Sequence, residues 1–164
     1  MTSTLIAGPG EEPVALADAK AWCRIDTDDD DALVTALIAA ARLEVESFTG
    51  RALITQSWRL SLECPPGPVV MLPVIPVSAI TAATADGEDI AVTLQGDAAL
   101  LPDEGYETLS IDYTAGYGAA ADVPADLKQA VLMLVAYWYD NRDGLTSRPA
   151  GLEAALRGYR QVAV

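Results

Sequence analysis

The apolar residues of this chain change their period twice, and that limits the folds it can adopt. From about residue 30 to 48, Leu33, Val34, Leu37, Ile38, Ala41, Val45 and Phe48 recur at helical spacing, which predicts an amphipathic helix. Residues 54 to 117 read instead as alternation and short apolar runs. "SWRLSLE" puts Trp58, Leu60 and Leu62 on one side of a strand, "TLSIDYTAGYG" does the same with Leu109, Ile111 and Tyr113, and Asp86-Gly87 is a hairpin signal. From Pro124 the helical spacing returns, with Leu127, Ala130, Val131, Leu134, Val135 and Trp138 as one seam.

Two shorter helices complete the pattern. One covers residues 14 to 24 behind Pro13, with Leu16, Ala19, Trp22 and Cys23 at helical spacing. The other covers about 151 to 161, with Leu152, Leu156 and Tyr159 on one face, after the loop "DGLTSRPAG". Gly50 is placed to end the second helix. The expected fold class is therefore α+β: a mainly α-helical bundle with a small antiparallel β insertion between the second and third long helices, in a single domain over 1–164.

The five aspartates of "RIDTDDDDALVTAL", Asp26 and Asp28 to Asp31, admit three readings. A calcium loop counted from Asp26 fails where it needs Gly at position 6 and Glu at position 12, because Asp31 and Leu37 stand there. A catalytic carboxylate pair needs partners and a cleft that the sequence does not display. Capping of the second helix by Thr27 or Asp28, with further carboxylates favoured by the helix dipole, accounts for the pattern. Asp28, Asp29, Asp30 and Asp31 are then a cap or a surface acidic enough to repel DNA.

Histidine is absent. Ser-His-Asp and Cys-His nucleophiles, histidine general bases and histidine-ligated zinc go with it. Cys23 and Cys64 form no CxxC pattern and are expected as reduced, mostly buried thiols. The formal charge of −14 excludes a generic phosphate-gripping surface. No cofactor and no metal site is expected. The N-terminus has no basic region ahead of a long apolar run, so no signal peptide is expected. The longest apolar run, Ala130 to Tyr139, is about half a membrane span, so neither is a membrane partner.

Two features suggest contacts with other chains. The stretch "AVLMLVAYWY" is apolar all round: Met133, Tyr137 and Tyr139 lie off the seam through Leu134 and Trp138. Either the helix is central and wrapped by the β insertion, or these three residues meet a neighbouring subunit. Charge is also uneven: residues 140 to 164 carry +1 and residues 1 to 139 carry −15. Arg148, Arg157 and Arg160 beside Leu152, Leu156 and Tyr159 either form a solvated tail or dock on an acidic partner.

Taken in order, "VALADAKAWCRID", "DDDALVTALIAAARLEVESFTGRALITQSWRL", "IDYTAGYGAAADVPADLKQAVLMLVAYWYDNRD" and "GLEAALRGYR" resemble the head–tail connector (adaptor) family of tailed phages and gene transfer agents. The order carries the resemblance, above all "TGRALITQSW" after the second helix and "AGYG" with "VPADL" before the third. The resemblance implies a structural protein and no enzyme, made in a bacterial cytoplasm and assembled at the head–tail junction of a particle. It implies a homo-oligomeric ring, a dodecamer, beneath the portal protein. Double-stranded DNA would pass through the lumen without specific binding, and a stopper or tail-completion protein would join the far side. The C-terminal residues Arg148, Leu152, Leu156, Arg157, Tyr159 and Arg160 would face the portal. The competing readings are a small carboxylate-dependent enzyme and a soluble regulatory binding module.

Overall fold

The computed structural model describes residues 1–103, 105–141 and 148–160, and in it the chain forms two compact units. One comprises Met1–Gly10 and Thr55–Tyr117, the other Glu11–Ile54 and Gly118–Val164.

The second unit is helical. It holds α1 (Leu16–Cys23), α2 (Asp31–Thr49), α3 (Ala125–Asp140) and α4 (Leu152–Leu156). α2 buries Val34, Leu37, Ile38, Ala41 and Val45 and stops at Gly50, whose φ of 71° lets its N–H reach Glu46 O at 2.8 Å. α3 starts after Pro124 and buries all six seam residues, Leu127, Ala130, Val131, Leu134, Val135 and Trp138. α1 is the weakest element: it buries Ala19 alone, and Trp22 is exposed. A 3₁₀ turn over Ala120–Asp122 leads into α3. It needs glycine at 118: φ there is 123°, and a Cβ would lie 2.7 Å from the Asp122 carboxylate that accepts Ala119 N–H.

The first unit is all β. A five-stranded antiparallel sheet has the order β1 (Thr2–Ala7), β2 (Gln56–Glu63), β8 (Thr108–Ala115), β4 (Val77–Ala85), β5 (Glu88–Asp89). A three-stranded antiparallel sheet has the order β3 (Val69–Met71), β7 (Ala98–Leu100), β6 (Thr93–Gln95). β8 sits at the middle of the large sheet and buries alternate residues, Leu109, Ile111, Tyr113 and Ala115. On its other face Asp112 receives a two-pronged pair from Arg59 of β2, at 2.6 Å twice. Asp86 and Gly87 both have positive φ, 52° and 87°, and close the β4–β5 hairpin.

This architecture overturns the expected fold class. Among the described residues strand accounts for 29% and helix for 35%, in four helices and eight strands. That is a two-sheet β unit and a helical unit, not a mainly α-helical bundle with a small β insertion. Two physical facts hid the strands. β3, β5, β6 and β7 are two or three residues long, too short for a period to show. β1 is exposed along its whole length, so its "TSTLIA" carries no burial alternation; main-chain bonding to β2 makes it a strand. The thiols also differ from expectation: both are free, but Cys64 is exposed, and only Cys23 is partly buried. Burial, with Asp140 nearby, pushes the Cys23 thiol above its ordinary value. Among the described residues no helix is long and apolar enough to cross a membrane.

Candidate functional site

The groups singled out in the sequence all fall in the helical unit, in three places: the start of α2, the off-seam side of α3, and the segment from Arg148 onward.

At the start of α2 the aspartates do not act as caps. The N-cap position is Asp30, neither Thr27 nor Asp28, and its side chain makes no capping hydrogen bond. The carboxylates bond side chains of α1 and α3 instead. Lys20 of α1 donates to Asp28 Oδ1 and Asp31 Oδ1, at 2.6 Å each. The Tyr139 hydroxyl from α3 donates to Asp30 Oδ2. Asp29 is exposed. The hydrogen bond from Lys20 holds the Asp28 carboxyl below its ordinary range, and those two carboxylates raise the lysine. Among the described residues no group of three or more Asp, Glu or Cys side chains is placed to hold a metal ion. We therefore expect millimolar calcium, or a chelator, to leave the melting temperature unchanged. A rise of several degrees with calcium would show selective binding to the native state and contradict this.

On α3, Met133, Tyr137 and Tyr139 are half-buried. Tyr139 is tied to Asp30 inside the same unit, so its hydroxyl is already used within the chain.

The C-terminal segment packs on its own unit more fully than its sequence suggests. Leu152 and Leu156 are 1% and 2% exposed. Arg148 bonds Glu44 of α2 and Glu153, and lies over the Phe48 ring at 5.0 Å. Glu44 is the main reason the Arg148 guanidinium is held above its ordinary value. Tyr159 donates to Asp126 at 2.7 Å, and its carbonyl accepts Arg51 Nε at 2.8 Å. Arg160 lies over Phe48 at 5.6 Å. Arg157 is exposed, with no ion pair among the described residues. The loop from 142 to 147 and the end of the chain from 161 lie outside the described residues, and so do Arg142 and Asp143.

One polar cluster escaped the sequence reading. Arg42 on α2 is 7% exposed and donates to Glu12 Oε2 at 2.8 Å and Glu46 Oε2 at 2.7 Å. Glu46 Oε1 in turn accepts Leu53 N–H at 2.9 Å. Burial opposes the charge on Arg42, yet the two glutamates more than offset it and raise its pKa. The Arg42–Glu46 spacing of one helical turn was visible; Glu12, thirty residues earlier, carried no signal.

Comparison with known proteins gives one matching family model, described as "Head completion protein", over residues 14–155. Solved structures match along the whole chain. A chain from the neck of an empty gene transfer agent particle, computed with C6 symmetry, is 27% identical, with a TM-score of 0.82 over 100% of this chain and 97% of that one. A chain from the virion of a native gene transfer agent particle gives the same values. A chain from the neck of a native particle, computed with C12 symmetry, is 30% identical at a TM-score of 0.77, with the same coverage. No curated protein sequence matches.

Proposed function

The chain belongs to the head completion protein family, and on that premise we propose that its copies form a twelve-membered ring under the portal protein and carry the DNA channel on toward the tail. Its role is structural: it is a head–tail connector at the junction of a phage-like particle, not an enzyme. The observation that carries the ring reading is the full-length match to chains from particle necks with C6 and C12 symmetry. A stopper or tail-completion protein would occupy the far side of the ring.

Charge supports the passage of DNA without specific binding. A chain of −14 repels phosphates except where bases gather. Asp29, exposed, suits a lumen that does not retain DNA. Asp28 and Asp31 share Lys20, Asp30 is engaged with Tyr139, and these three hold the start of α2.

The portal-facing role falls to fewer residues than the sequence suggested. Leu152, Leu156, Tyr159 and Arg148 hold the segment onto its own helices, which leaves Arg157 and Arg160 to reach portal carboxylates. The guanidinium fork suits that contact. The test is Arg157→Glu with Arg160→Glu. Both side chains are exposed, and the loss of the Arg160 contact with Phe48 is expected to cost about 0.5–1 kcal/mol of stability. The variant should fold, and purified heads should lack it. Normal incorporation into heads would overturn the docking assignment.

A further inference from the structure

We propose that neighbouring copies in the ring join by strand addition, with the free edge of β1 in one copy pairing with the free edge of β3 in the next. The inference rests on the ring reading above and adds the segments through which copies meet.

β1 ends the large sheet. Thr2 to Leu5 pair regularly with β2, a bulge falls at Ile6, and no described strand covers the other side. Natural edge strands are commonly protected by charge, by proline or by being very short. β1 has six residues, and no charged residue occurs from Met1 to Gly10. Its bulge comes only near the end, leaving Thr2 to Leu5 regular. β3 ends the small sheet at its far side, since β6, the opposite strand, borders β4. It lies in Cys64–Ala85, the longest stretch of the chain without a charged residue.

These two edges also hold most of the exposed apolar surface. Seven large apolar side chains are exposed among the described residues, and five are here: Met1, Leu5 and Ile6 on one edge, Val69 and Met71 on the other. The remaining large-sheet edge, β5, is Glu88–Asp89, which would repel an acidic neighbour.

Charge then selects the occupant. Copies that each carry −14 repel one another wherever acids face acids, so the uncharged edges are where like chains can meet. A ring of more than two copies requires two different patches on each protomer, whereas pairing of β1 with β1 would close a dimer and stop. β1 and β3 supply two different patches, each at the end of its own sheet. Main-chain hydrogen bonds would give the join its geometry, with Leu5 and Ile6 covering Val69 and Met71.

The test is cross-linking in assembled particles. With Cys23→Ser and Cys64→Ser as background, Leu5→Cys is combined in turn with Val69→Cys and Met71→Cys, then oxidised. A ladder of multimers beyond the dimer, seen only when both new cysteines are on one chain, is the expected result. Dimers from Leu5→Cys alone would overturn the proposal. So would the absence of a ladder from both pairs in particles whose neck still shows a ring of this chain; the ring reading would then survive. A neck without such a ring would remove both. A second variant, Leu5→Lys with Ile6→Lys, changes only exposed side chains. It should keep the melting temperature and lower incorporation into particles by about tenfold or more; unchanged incorporation counts against strand pairing.

Discussion

Arg42→Ala is expected to destabilise the protein by about 3–5 kcal/mol, the range for removing one partner of a buried ion pair. The guanidinium is 7% exposed and sits between Glu12 and Glu46. Removing it takes from Glu46, whose side chain is 12% exposed, the guanidinium that offsets its buried charge at 2.7 Å. The loss comes mostly from that weakened compensation of a buried carboxylate. A double change, Arg42→Leu with Glu46→Gln, should therefore cost much less than Arg42→Ala, because the new side-chain amide keeps a carbonyl acceptor for Leu53 N–H. Urea denaturation of the three proteins checks this. Equal losses in the single and double variants would mean that packing of the arginine stem, not its charge, sets the cost.

Leu134→Ala should cost about 2–5 kcal/mol through the cavity it leaves. Leu134 is 0% exposed in the middle of the α3 seam, where neighbouring side chains are held on a helix and have little room to collapse. Tyr137→Ala should cost less, since that residue is only half-buried. Tyr139→Ala should fall between the two, because it also removes the bond to Asp30. Thermal denaturation gives the order. A loss at Tyr137 as large as at Leu134 would make α3 internal on all sides and remove that position from any subunit interface.

The sequence carried the helical seams clearly because each is a local property of one element. All six α3 seam residues named from spacing are buried, and Gly50 ends α2 at the expected place. The Asp86-Gly87 turn was legible for the same reason: a turn is written in two residues. The remainder depended on distant partners. Nothing near Thr2 announces that β2, more than fifty residues on, will pair with it. Lys20 gives no sign that it will hold Asp28 and Asp31, so the aspartates read as caps. Leu152 and Leu156 formed an apolar face without an evident occupant; their own helical unit covers it. The tail thus read as a free docking element when its apolar half is already used. Trp22 erred in the other direction, at a seam position yet 47% exposed, because α1 spans only eight residues and buries Ala19 alone.

The central claim, a structural ring at the head–tail junction, is tested most directly by cryo-electron microscopy of purified particles, with the neck reconstructed under cyclic symmetry. The expected result is a ring of twelve copies of this chain between portal and tail, with the two units traceable in each copy. A neck filled by other chains, in particles from which this protein is absent, would contradict it.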